Sequence, residues 1–380
     1  MPYFAIVASI LLLLVILWDG FETIILPRRV TRRVRLTRLF YRSTWTLWRA
    51  VARRMEPGKR REAFLSIYGP LSLLLLFALW AAGLIFSFAL LHWGAGPAQG
   101  SFGESATFWT DLYMSGTTFF TLGLGDVTPH TPMARFITVV ESGTGLGFLA
   151  IVISYLPVLY GAFSRREVNI SLLDARAGSP PTAAELIRRH VCGKNPEALG
   201  QFLHDWEAWS AELMESHLSF PVLCYFRSQH DNQSWLAALT AILDACALLI
   251  SYAEGTLQWQ SQLTFAISRH ALVDLAQVLQ IAPKQPVTDR LSEADLDQLR
   301  GFLASMRVPV CSTAAASRKL RELQQMYEPY INGFSERLLM PYPAWKAAAG
   351  PADNWKTSAW GKISSPAALP LSATVDEEHR

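Results

Sequence analysis

Thr117-Thr118-Phe119-Phe120-Thr121-Leu122-Gly123-Leu124-Gly125-Asp126 is the stretch on which the reading of this chain turns. A short polar and aromatic run, Ser105 to Gly116, precedes it, and a long apolar segment lies on either side, about 64–93 and about 136–163. Each apolar segment is long enough to cross a bilayer, which takes ~20 residues. Irregular backbone between two spans is tolerated at membrane depth only where protein buries it or it lines water. Gly123 and Gly125, at alternate positions, permit backbone dihedrals that other residues adopt only at a cost.

Apolar helix, short descending helix, Thr-x-Gly-x-Gly-Asp, apolar helix: this order resembles the pore module of the potassium-channel superfamily, whose filters read T-V-G-Y-G. The resemblance covers about 64–163 and is silent on what comes before and after. It implies an all-α membrane protein with an outer helix, a pore helix and filter loop, and an inner helix. It also implies a homotetramer around one axis, with K+ as the permeant ion. The backbone carbonyls of Thr121, Leu122, Gly123, Leu124 and Gly125 would then replace the water shell of the ion, Thr121 adding a hydroxyl at the inner end. Leu122 and Leu124 would turn their side chains back into packing behind the filter. Asp126 at the outer mouth has two readings: it concentrates cations, or it fixes the outer end of the filter by hydrogen bonds. Leu124 departs from the family, which usually has an aromatic residue there, bonded to aromatic residues of the pore helix. Phe120 stands where a second small hydroxyl residue often precedes the filter.

Composition sets the frame. The chain has 380 residues, 51% of them apolar, and a net charge of +3. That is too apolar for an ordinary soluble protein and too polar for one wholly embedded, so a membrane module joined to a helical domain is expected. The four cysteines, Cys192, Cys224, Cys246 and Cys311, form no C-x-x-C pair and are expected as buried free thiols. No nucleophile–base arrangement, metal-ligand spacing or nucleic-acid feature is legible. An enzyme, a cofactor and a nucleic-acid partner are therefore not expected.

Residues 3–26 are apolar apart from Ser9, Asp19, Gly20, Glu22 and Thr23, and 1–27 reads as a first membrane helix. Arg28 to Arg61 then holds thirteen Lys/Arg, whereas Glu62 to Ala134 holds none. By the positive-inside rule, 28–62 faces the cytoplasm and the N-terminus lies outside, in a multi-pass protein of the plasma (cell inner) membrane. Arg29, Arg32, Arg35 and Arg38 recur every third residue, as in voltage sensors, but the helix bundle that would carry counter-charges is missing. Val30, Val34, Thr37, Tyr41, Trp45, Trp48, Ala52 and Met55 share one helical face, which reads as a basic amphipathic helix on the inner leaflet, its arginines attracting anionic membrane lipids.

In the pore module, 63–165, Glu104 or Ser105 would cap a pore helix reaching about Gly116. His92 with Trp93 suits an outer interface. Three inner-helix residues are gating candidates. Gly145 stands where the family places its hinge, and close helix packing is the competing reading. Pro157 would bend the helix low down. Glu141, a carboxylate inside a span, would either titrate behind the filter or be satisfied by Thr117, Thr118 or Ser115.

Beyond Arg165 the pattern is that of an all-α cytoplasmic domain, 166–340, followed by a disordered tail, 341–380. Thr182 to Glu185 reads as a capping box. Helices are expected from Pro196 to about Leu218, at Trp235–Tyr252, near 256–281, near 292–306, and as one piece over about 317–334. Trp235–Tyr252 has the apolarity of a span, but Asp244 near its middle favours a buried helix. Arg227, Gln229, His230, Asp231 and Asn232 form a polar cluster, read as a ligand site or a solvated loop. The expectation is a potassium-selective channel. The alternatives are a non-selective cation channel and a non-conducting membrane-tethered signalling or scaffold protein.

Overall fold

The computed structural model describes residues 2–26, 35–95, 99–100, 107–192, 196–229, 232–286, 290–305 and 314–345. The chain is an all-α membrane protein that divides into two compact units. One comprises Met1–Glu56 with Ala63–Gly161, the other Pro57–Glu62 with Ala162–Arg380.

In the first unit, α1 (Pro2–Gly20) ends in a wider π-turn, Phe21–Ile25, and is followed by α2 (Leu36–Ala52) and the long α3 (Lys59–Ala95). One carboxylate ties the three together. Asp19 of α1 accepts hydrogen bonds from the Thr37 backbone N–H (3.1 Å), the Thr37 hydroxyl (2.5 Å) and the Trp80 indole N–H of α3 (3.1 Å). It thereby satisfies one of the orphan N–H groups at the start of α2. Ile16 packs into the notch that Gly83 leaves in α3, where an added Cβ would lie 2.6 Å from its Cδ1.

The apolar face expected on α2 exists, but it is turned onto protein. Trp48 stacks on Phe64 at 4.3 Å, Trp45 meets Tyr68 edge-on at 4.8 Å, and the Thr44 hydroxyl bonds the Tyr68 hydroxyl. Burying these rings on α3 removes more apolar area from water than leaving them at a headgroup boundary. The arginine stripe is corrected in the same way. Arg35 turns to Glu22 (3.3 Å) and to the Thr23 hydroxyl (2.9 Å) instead of facing lipid. Arg38 also has an interaction within the chain, and Arg29 and Arg32 lie outside the described residues.

The pore helix α4 (Phe108–Phe119) and the inner helix α5 (Pro132–Ala177) follow, with a two-residue antiparallel pairing of β1 (Gln99–Gly100) and β2 (Val127–Thr128). Among the described residues, four helices are long and apolar enough to span a membrane: Tyr3–Ile25, α3, α5 and α8 (Trp235–Tyr252).

The second unit contains the end of α5, then α6 (Ala183–Cys192), α7 (Pro196–Ser219), a 3-10 turn Pro221–Tyr225, α8, α9 (Gly255–Val278), α10 (Glu293–Ser305), α11 (Ala314–Gln325) and α12 (Glu328–Leu338). The Thr182 hydroxyl caps α6 by accepting from the Glu185 N–H. The helix expected over 317–334 is two. Pro329 fits the first turn of a new helix, where its missing N–H costs nothing, and the chain breaks at Met326–Tyr327.

Although α8 has the apolarity of a span, all but one of its residues are buried within this unit. Its Asp244 receives a bidentate pair from Arg290 (2.8 and 3.0 Å) and the Tyr327 hydroxyl (2.5 Å), and Arg290 also pairs with Glu328 (2.8 Å). Burial opposes the Arg290 charge, but the attraction of Asp244, Tyr327 and Glu328 outweighs it and raises the pKa above its ordinary value.

Arg166, in the part of α5 that belongs to this unit, is buried. It donates to the carbonyls of Leu223 (3.0 Å) and Phe226 (3.1 Å), pairs with Glu167 (2.8 Å), and lies 3.1 Å from His217 Nε2. Burial and the neighbouring guanidinium hold the His217 pKa well below its ordinary value, so its ring is the neutral acceptor. Arg227 of the polar cluster is likewise structural, bonding the Leu338 and Leu339 carbonyls; His230 and Asp231 lie outside the described residues.

The start of the expected tail is also corrected. Trp345 is buried, its carbonyl accepts from the Ala184 N–H, and Pro343 accepts from Arg290. Cys224 and Cys246 are buried free thiols, and burial pushes Cys224 up to about 12. Cys311 lies outside the described residues.

Removing one partner of a buried ion pair strands the other. Asp244→Ala is expected to lower the unfolding free energy by about 3–5 kcal/mol in denaturant titrations of the whole protein followed by tryptophan fluorescence.

Candidate functional site

The pore helix begins at Thr107, not at the earlier residues expected from the sequence; Glu104 and Ser105 lie outside the described residues. Thr107 and Thr110 form a reciprocal cap, each hydroxyl accepting from the other's backbone N–H at 3.4 Å. The helix runs to Phe119, three residues past the expected end, because a specific C-terminal motif closes it. Leu122 N–H bonds the Thr117 carbonyl (2.7 Å) and Thr121 N–H bonds the Thr118 carbonyl (3.0 Å). This is the pair of bonds of a Schellman cap, which needs a left-handed residue where Thr121 stands. Thr121 has φ 58°. A β-branched residue there is a true outlier, held only where surrounding structure imposes it.

Two further residues of the loop are left-handed: Gly123 (φ 55°) and Gly125 (φ 79°). Leu122 and Leu124 between them are not, so the sign of φ alternates over five residues. Asp126 then closes the loop. Its Oδ1 accepts from the Val127 N–H (3.1 Å), and its Oδ2 accepts from the Tyr113 hydroxyl of α4 (2.9 Å). Of the two readings of Asp126, this geometry supplies the fixing one. The expected packing behind the filter is not provided within the chain: Leu122 and Leu124 are each 63% exposed and Phe120 60%.

Behind the loop, α4 is wedged between two helices. Phe108 meets Phe86 and Trp93 of α3 at 5.6 and 6.1 Å, and Phe119 meets Phe148 of α5 at 5.9 Å. At Gly145 the backbone of α5 lies against the end of α4: a Cβ on it would lie 2.0 Å from the Phe119 carbonyl oxygen. Gly143 and Gly147 have nothing within 4 Å of that position. Between hinge and packing, the close contact is what the structure supplies at Gly145. Pro157 lies inside α5, which continues through it to Ala177.

Glu141 is fully buried and bonds His92 of α3 at 3.2 Å; the Ser115 hydroxyl of α4, expected to serve it, makes no hydrogen bond. Thr117, one of the hydroxyls expected to serve it, bonds the Met114 carbonyl instead. Sequence reasoning placed His92 at an outer interface and did not single out Tyr113. The signal for His92 was present: it is the only histidine in a stretch without Lys or Arg that ends at Ala134, apart from His130 after the filter. Tyr113 had the weaker signal of an aromatic residue on the pore helix.

Residues 73–159 match the ion-channel family Ion_trans_2. The resemblance read from Thr-x-Gly-x-Gly-Asp is thereby borne out, and this segment carries an ion-channel domain. Over 240 residues the chain is 25% identical to YdjJ, an uncharacterized membrane protein of Bacillus subtilis (strain 168), covering 62% of this chain and 69% of that protein. No solved structure matches the chain.

The packing role of Gly145 has a direct test. Gly145→Ala is expected to cost about 1–3 kcal/mol, because the backbone of α4 must move. Gly143→Ala and Gly147→Ala should be near neutral. Thermal midpoints of the three detergent-solubilised variants compare them, and equal midpoints would return Gly145 to the hinge reading.

Proposed function

We propose that residues 63–165 form a potassium-selective pore in a homotetramer, the carbonyls of Thr121 to Gly125 forming the ion path. The observation that carries this reading is the alternating sign of φ, positive at Thr121, Gly123 and Gly125, in a loop anchored at both ends, by the Thr117 carbonyl and by Asp126. Alternating right- and left-handed residues align successive N–H groups on one side of a strand, and the carbonyls then face the other. A column of such carbonyls replaces the water shell of a dehydrated cation. The Tyr113–Asp126 bond takes over, two residues further on, the anchoring that an aromatic residue at Leu124 would give.

The exposure of Leu122, Leu124 and Phe120 supports assembly. Apolar side chains flanking an ion path cannot be left in water, and α5 adds Phe136, Val139, Leu146 and Ile153 to the same need for cover. The C-terminal end of α4 carries the negative end of its dipole, which favours a cation beyond it. The basic segment 28–62 supports a cytoplasmic placement for itself and for the second unit. On α2, exposed Leu39 and Leu47 beside exposed Arg42 are the surface proposed to meet anionic lipids.

Reversal potential in planar bilayers, with potassium on one side and sodium on the other, tests the proposal. The reading expects a shift toward the potassium limit, abolished by Gly123→Ala because alanine at φ 55° is strained. Reversal near zero with real current would mean a non-selective cation pore. Silence across voltage would leave a membrane-tethered scaffold.

A further inference from the structure

We propose that His92 and Glu141 form a proton-titrated positioning pair that holds the pore helix in its conducting place, so that an added proton loosens α4 and reduces current. This rests on the channel reading above and adds a regulator to it.

Geometry comes first. His92 Nε2 lies 3.2 Å from Glu141 Oε2, and both side chains are fully buried. Ser115 of α4 faces the same carboxylate without completing a hydrogen bond, so Glu141 is bonded to α3 and packed against α4. One turn further along α5, on the same face, Gly145 meets the carbonyl of Phe119, the last residue of α4. The inner helix thus grips the pore helix at two successive turns. The contact at Gly145 is steric and insensitive to pH. The contact at Glu141 is made by titratable groups. The residue after Phe119 leads straight into the filter loop, so a shift of α4 is a shift of the filter.

Charge decides the direction. The other titratable group buried on this side of α4 is Asp111, one turn before Ser115. No Lys or Arg occurs from Glu62 to Ala134, and Arg135 of α5 is exposed and bonds the Pro129 carbonyl. Beyond Arg61, therefore, no Lys or Arg of α3 or α4 stands beside the His92–Glu141 pair. A site out of water favours net neutrality. The pair is neutral with one proton shared between His92 and Glu141, whichever of the two holds it. A further proton makes imidazolium beside a neutral carboxylic acid, a buried charge without a counter-ion. That imidazolium also needs two acceptors, and His92 Nδ1 has no hydrogen-bond partner. The added charge is relieved by admitting water between α3, α4 and α5. Imidazole is the side chain whose unperturbed titration falls in the physiological range.

The test is the current of wild type, His92→Gln, Glu141→Gln and Asp111→Asn in symmetric potassium, each first shown to elute as wild type does. Between about pH 7.5 and about pH 5.5, wild-type current should fall roughly fivefold. His92→Gln, whose amide can still donate to Glu141 but cannot titrate, should change less than about twofold over the same interval. Glu141→Gln should be similarly flat and serves if His92→Gln fails to fold. Asp111→Asn should keep the fall, and reversal potentials should not move. A flat wild type, an undiminished fall in both His92→Gln and Glu141→Gln, or a fall lost only in Asp111→Asn overturns the proposal.

If wild type passes no current, the channel reading fails and the pair is judged by stability. In the folded state the added proton is a buried charge, whereas in the unfolded chain it is solvated. Wild type should therefore lose thermal midpoint relative to His92→Gln as pH falls through the ordinary histidine range. Parallel midpoints at both pH values would overturn the pair as well.

Discussion

The first unit depends on a backbone contact that leaves no room for a side chain. The Phe119 carbonyl sits where residue 145 would carry a Cβ. This lets the inner helix lie directly on the last turn of the pore helix and sets the position from which the loop departs. The loop itself has almost no side-chain packing of its own within the chain; its shape comes from its two ends. At one end the Thr117 carbonyl collects the Leu122 N–H, and at the other Asp126 ties the chain to Tyr113. Between these anchors only the φ values of three residues remain to be set, two of them glycines.

A second theme is the handling of carboxylates away from water. Asp19, Glu141 and Asp244 are all buried, and each solves the problem differently. Asp19 is satisfied by a helix start and an indole N–H. Asp244 takes a bidentate guanidinium and a phenol. Both sets of partners keep their protons at any physiological pH, so both sites are structural. Glu141 alone of the three is matched with an imidazole, and it alone lies beside the pore helix. The difference in partner separates a joint from a candidate switch.

The two units put similar chemistry to different ends. Arg35, read as lipid-facing, Arg227, read as part of a polar cluster, and Arg166 are all drawn inward to carboxylates and carbonyls. A long side chain with five donors satisfies several buried acceptors at once, which favours arginine over lysine in such places. A run of arginines in a sequence is therefore poor evidence that all of them face outward.

By itself the sequence determined the architecture of the channel segment. Span length, the run of residues without Lys or Arg, and glycines at alternate positions are local properties, and membrane physics leaves few structures compatible with them. It also located most helices of the second unit and foresaw that α8 is a core helix, because a central Asp244 is costly in lipid. It did not show which helix-end or buried groups meet. The cap at Thr107, the left-handed Thr121, the Arg290 partner of Asp244 and the His92 partner of Glu141 are contacts between residues distant in the chain, or conformations imposed by a neighbour. Hydrophobic periodicity reports which face of a helix is buried, not what lies against it. The partner of Glu141 is 49 residues away on another helix, and only the packing of α3, α4 and α5 brings the two within hydrogen-bonding distance.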